Sequence, residues 1–90
     1  MLPKPETIGD IYRAVGYPAT GMIAYGAVQQ EPCTMVRDRW CWWLAMDDGD
    51  HYEWDETPDG PDVMGATLEL VRRNPLPDDD YHTASRAATA

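Results

Sequence analysis

Sixteen consecutive positions, Asp47 to Asp62, carry eight carboxylates and neither a lysine nor an arginine. Carboxylates at this density can ligate a cation, exchange protons in a pocket, or meet the guanidinium and ammonium groups of a basic surface. Spacing separates these chemistries. Asp47-Asp48-Gly49-Asp50 lacks the alternating oxygen ligands and the terminal glutamate of a calcium loop. Cys33, Cys41, His51 and His82 form no C-x-x-C, H-x-x-x-H or H-E-x-x-H pattern, so no metal and no cofactor is expected. A Cys41–His51–Asp55 trio fails on distance. In the hairpin register derived below, His51 stands four residues along the strand from Cys41, roughly 13 Å away and beyond hydrogen-bond reach. Glu53 and Asp55 as an acid–base pair would need a pocket that so short a chain hardly offers. There is no phosphate-binding glycine loop and no nucleophile elbow. The residues argue against an enzyme.

Recognition of a basic protein surface is what remains. Carboxylates on a rigid hairpin can take the positions of phosphates and occupy the groove of a nucleic-acid-binding protein. The expected contact set is Asp47, Asp48, Asp50, Glu53, Asp55, Glu56 and Asp59, with Trp43 as an aromatic anchor. Glu53 and Asp55, two apart on one strand face, would form a stripe spaced about 6.7 Å. Two plainer readings compete with this one. The acids can simply solvate a surface, and Trp43 can be core beneath a covered sheet. An alternative function is a small structural or assembly subunit of a virion or protein complex. It would bind through its aromatic hairpin, self-associate, and use the acids only for solubility.

The net charge is −9 and is unevenly placed. Residues 1–46 hold four basic and four acidic residues, whereas residues 47–90 hold three arginines and twelve acids. Such a chain repels nucleic acid and anionic membrane and attracts a basic partner. Arg37, Arg39, Arg72 and Arg73 are its only candidates for a basic patch against nucleic acid. The longest apolar run, Trp40 to Met46, has seven residues, against the roughly 20 of a membrane span. The N-terminus has no apolar signal core. A soluble, cytoplasmic protein follows, of a size and charge shared, at the level of class alone, with phage anti-defence inhibitors.

The elements that must position these residues can be read from periodicity. Thr7 to Val15 has Ile8, Ile11, Tyr12 and Val15 on one helical face, with Gly16 as a stop. Residues 22–28 are ambiguous between strand and short helix, with helix preferred because Thr20 could cap it. Met35 to Thr57 reads as a β-hairpin around Asp47-Asp48-Gly49, a three-residue loop with Gly49 in the left-handed position. Leu44 then faces Tyr52, Trp42 faces Trp54 and Trp40 faces Glu56. Trp40, Trp42, Leu44, Met46, Tyr52 and Trp54 share one face. Arg37, Arg39, Cys41, Trp43, His51, Glu53 and Asp55 share the other. A two-residue turn would bury Glu53 and Asp55, which costs too much. Residues 62–73 are assigned to a helix capped by Asp62, with an alternating strand over 67–72 as the competing reading. The expected fold class is α+β: a small antiparallel sheet on the 35–57 hairpin packed by one to three short helices. Residues 1–74 make a single compact domain, and 75–90 are an acidic, Ala-rich tail ordered mainly by contact. Cys33 and Cys41, eight apart, could pair only across a turn and are expected as reduced thiols.

Overall fold

The computed structural model describes residues 1–54 and 59–75. They contain five strands: β1 (Ile11–Val15), β2 (Ile23–Pro32), β3 (Trp40–Met46), β4 (His51–Glu53) and β5 (Thr67–Arg72). The strands form one antiparallel sheet in the order β4-β3-β2-β1-β5. No helix occurs among the described residues. The α+β expectation is therefore corrected to a helix-free antiparallel sheet. Among the described residues, no helix is long and apolar enough to cross a membrane.

The β3–β4 hairpin has the expected register, with Leu44 opposite Tyr52 and Trp43 opposite Glu53. Its loop is Asp47-Asp48-Gly49, closed by Met46 N–H to Asp50 O (2.8 Å) and Gly49 N–H to Met46 O (2.9 Å). Gly49 sits at φ 93°, a left-handed conformation that costs glycine little. Leu44 and Met46 are buried, and Trp42, Tyr52 and Trp54 pack beside them. Trp40 departs from the expectation: at the end of β3 it is 68 % exposed. Its expected partner Glu56 lies outside the described residues, as does the tail from residue 76.

The helices expected over 7–15, 22–28 and 62–73 are strands preceded by turns, for local reasons. At 7–15, Gly9 is left-handed at φ 97°. The Asp10 carboxylate takes the backbone N–H groups of Glu6 (3.0 Å) and Thr7 (3.1 Å), so the side chain competes successfully with helical bonding. Tyr12 and Ala14 then point into the core while Ile11, Arg13 and Val15 point out. At 62–73, Met64 (φ 53°) and Gly65 (φ 79°) are both left-handed. Asp62 holds Gly65 N–H at 3.0 Å in a turn, and β5 follows with Leu68 and Leu70 inward. At 22–28, Gly26 lies in central strand β2, where a Cβ would come within 2.7 Å of Met46 Sδ and 2.8 Å of Leu44 Cγ. That glycine weakens either element by propensity, yet here it admits two core side chains.

The inner face of the sheet presents Tyr12, Ala14, Val28, Leu44 and Met46, completed by Tyr17 and Val63 from loops. Irregular segments, not helices, lie over it. Leu2 packs on the core, Pro5 and Pro61 are buried, and Val63 is part of the core itself. Prolines suit this position because each removes a backbone donor that burial would leave unsatisfied. Tyr12 Oη donates to Pro3 O at 2.6 Å and fixes the leading segment; its ring meets that of Trp54 at a 60° tilt with centroids 4.9 Å apart.

Asp10 is fully buried. Besides Glu6 and Thr7 N–H, its carboxylate accepts Arg73 Nη1 (2.8 Å) and Asn74 N–H (2.8 Å). The β1–β5 register shifts between Ile11 and Tyr12, where Val71 is the extra residue. This bulge re-aims the end of β5 so that Arg73 and Asn74 reach Asp10. Burial alone would raise the Asp10 pKa, but the donors outweigh it and hold the carboxyl below its ordinary range.

A folded-state pKa below the unfolded value contributes stability that is complete above about pH 4 and disappears as pH falls through the folded value. Asp10→Ala should cost at least about 3 kcal/mol in urea unfolding, because Arg73 and three backbone N–H groups lose their acceptor. Asp10→Asn should show a flatter decline of stability below pH 4 than the wild type. Gly26→Ala should cost about 1–3 kcal/mol by overpacking, read as a lower thermal midpoint.

Candidate functional site

The expected contact residues fall into three places. Asp47, Asp48 and Asp50 form the exposed tip of the β3–β4 hairpin. Trp43 and Glu53 lie opposite one another on the outer face. Asp59 is exposed on the rim of a groove between residues 1–3 and β5. Asp55 and Glu56 lie outside the described residues. The expected stripe through Glu53 and Asp55 therefore lies partly outside the described residues.

The tip is held from below. Asp47-Asp48-Gly49 is a tight loop, and Asp48 Oδ1 accepts Asp50 N–H at 3.0 Å. Tyr17, 1 % exposed, donates its hydroxyl to Asp48 Oδ2 at 2.5 Å and stands 3.5 Å from Asp50 Oδ2. Tyr52 in turn donates to Tyr17 Oη at 2.9 Å, and the two rings meet edge-on at 5.7 Å. A relay Tyr52→Tyr17→Asp48 thus runs from the core to the tip. Burial, then the bond to Asp48, pushes the Tyr17 pKa far up, so it remains a donor at any ordinary pH. The same bond lowers the Asp48 pKa. No ion pair among the described residues engages Asp47, Asp48 or Asp50.

The outer face is arranged differently. Cys33 and Cys41 form a disulfide with Cα atoms 5.1 Å apart, correcting the expectation of two free thiols. The turn that makes this possible is the 34–39 loop, with Asp38 left-handed at φ 62° and Cys33 N–H bonded to Arg39 O at 2.9 Å. Glu53 already has partners within the chain: it accepts Thr34 N–H (2.8 Å) and Thr34 Oγ1 (2.9 Å). Glu31 is opposite Cys41 and His51 is opposite Ala45, so they flank Trp43 diagonally. His51 Nδ1 and Glu31 Oε2 meet at 2.6 Å, across the Trp43 position. Trp43 is accordingly half-buried, with its indole Nε1 sealed from solvent and without a hydrogen-bond partner. It lies between the Glu31 and His51 positions on the outer face and is not part of the core cluster.

Sequence reasoning missed Tyr17, Glu31 and Thr34. Tyr17 could have been suspected as an aromatic residue in a Gly-Tyr-Pro turn, but its link to Asp48 spans 31 positions. Cys41 is held in the disulfide and His51 is turned to Glu31, so these two residues do not pair with one another.

Tyr17→Phe should keep the fold yet let the Asp48 pKa rise toward the ordinary aspartate range, as followed by NMR titration of the side-chain carboxyl. An unchanged Asp48 titration would contradict the relay. Comparison with protein-family models, curated proteins and solved structures finds no match to the chain.

Proposed function

We propose that this chain is a non-catalytic, acidic protein-binding inhibitor that docks on the basic surface of a nucleic-acid-handling protein, its carboxylates standing where phosphates would. The observation that carries the reading is the hairpin tip: Asp47, Asp48 and Asp50 project together, unpaired with any cation among the described residues, on a loop fixed by the buried Tyr17 hydroxyl. Pre-set carboxylates lose little freedom on binding and make charge-assisted bonds to arginine and lysine. The net charge of −9 steers such an encounter. Contact residues are those of the tip, with Asp55, Glu56 and Asp59 adding to the field. Glu53 and Trp43 serve mainly to hold the outer face.

A second reading, an assembly subunit, has its own observation. On the outer face Val15 lies beside Ile23 and Arg13 beside Tyr25. Ile23 is 55 % exposed, and Val15, Tyr25 and Val71 are also exposed. A second copy covering this strip would bury apolar surface and tolerate salt.

Capture with the tagged chain from lysate at low and high salt, read by mass spectrometry, separates the two. The inhibitor reading expects a nucleic-acid-binding protein that is released at high salt and competed by DNA or RNA, since exposed pairs are screened within about 3 Å at 1 M. A triple change of Asp47, Asp48 and Asp50 to Lys should abolish that capture with the circular dichroism spectrum unchanged. Recovery of the chain alone, as a salt-resistant dimer, would favour the assembly subunit.

A further inference from the structure

The outer face brings three potential ligand atoms together: the Sγ atoms of Cys33 and Cys41 and a carboxylate oxygen of Glu53, all within 4.8 Å of one another. They come from three places in the chain. Cys33 follows β2, Cys41 lies in β3 and Glu53 ends β4. That dispersal is why the C-x-x-C type of spacing gives no hint of them. We propose that reduction of the Cys33–Cys41 bond converts this cluster into a zinc site, with two thiolates and one carboxylate as protein ligands and water in the fourth position.

The steps balance as follows. A thiol reductant delivers two electrons and two protons to the disulfide. The S–S bond breaks, two thiols form, and the reductant leaves as its own disulfide. Zn²⁺ then displaces both thiol protons to solvent and gains two Zn–S bonds and one Zn–O bond. A tetrahedral ion with Zn–S about 2.3 Å and Zn–O about 2.1 Å sets its ligand atoms about 3.5–3.8 Å apart. The carboxylate oxygen lies within 4.8 Å of both sulfurs, so a small side-chain adjustment reaches this spacing once the sulfurs separate to van der Waals distance. Cys33 N–H to Arg39 O (2.9 Å) keeps the two ends of the 34–39 loop together without the S–S bond.

Glu53 is oriented before any metal arrives. Thr34 N–H and Oγ1 hold its Oε1 (2.8 and 3.2 Å), and Oγ1 also reaches Oε2 (2.9 Å), the outer-shell support that metal-ligating carboxylates commonly have. All three ligand residues are half-buried, which leaves an entry path and room for the water. Thiolates select zinc over calcium or magnesium. Once zinc has displaced the thiol protons, its two positive charges offset the repulsion among two thiolates and a carboxylate sharing this small space.

The experiment is metal analysis of the full chain after equilibration with zinc chloride and gel filtration, once with a phosphine reductant and once oxidised. One zinc per reduced chain and none per oxidised chain is expected. Competition with a chromophoric chelator should show at least tenfold weaker zinc binding for Glu53→Gln, and a Cys33→Ser variant should lose it. Circular dichroism reports whether Cys33→Ser folds. If it does not, the Glu53→Gln comparison stands by itself. No zinc on the reduced chain, equal zinc on the oxidised chain, or Glu53→Gln binding as tightly as the wild type would each overturn the proposal.

Discussion

A carboxylate shut away from water must be surrounded by donors or it will not stay ionised, and the fold is arranged around that requirement at Asp10. Its donors come from the two ends of the described chain: Glu6 and Thr7 before β1, Arg73 and Asn74 after β5. The sheet order, with β1 between β2 and β5, is what lets them meet. The same corner is tied to the central strand, since Gly9 N–H bonds Val28 O and Val28 N–H bonds Asp10 O. Space there is so limited that a Cβ on Gly9 would lie 2.7 Å from Asn74 Nδ2. Taking an ion out of water costs several kcal/mol even after relaxation. The donors must therefore be present together or the corner has no reason to form, which makes closure of the N-terminal segment and docking of β5 one event.

The two faces of the sheet are held by different physics. The inner face is packed, and proline-containing segments cover it because they bring few backbone donors into the core. The outer face has no covering layer among the described residues. It is organised by ties that cross strands: Cys33–Cys41, His51–Glu31, Arg13–Glu69 and the Thr34 bonds to Glu53. Charged residues on such a face tend to be consumed internally. The tip escapes this because, among the described residues, no strand extends beyond the Asp47-Asp48-Gly49 loop to supply a cation; the phenol of Tyr17 orients Asp48 without neutralising it.

The hairpin was legible because two local signals agree there: alternation of apolar and polar residues on both strands, and an Asp-Asp-Gly loop whose length decides which face the carboxylates take. The other elements were misread where a short stretch satisfies both periods. Ile8, Ile11, Tyr12 and Val15 fit a helix face, yet Tyr12 and Ala14 alone reach the core. What decided between them was the Asp10 carboxylate, whose value to the fold depends on Arg73 and Asn74, over sixty positions away. The disulfide was missed for a similar reason, since it depends on a left-handed Asp38 that no residue pattern announces. Of the site, the identity of the tip acids was readable; that Glu53 is bound to Thr34 and Trp43 lies between the Glu31 and His51 positions is a matter of tertiary placement.

A sheet with two open margins is a template for adding strands from other molecules. Here both margins are poor templates. β4 is only three residues long, too short for a stable new pairing. β5 carries Glu69 in its middle and Arg72 at its end, and the Val71 bulge twists its last residues away toward Asp10. Short, charged and bulged margins are the devices by which sheets avoid joining edge to edge. The bulge that delivers Arg73 to its carboxylate therefore has a second effect: it makes the outer edge of β5 a poor template for a strand from another molecule.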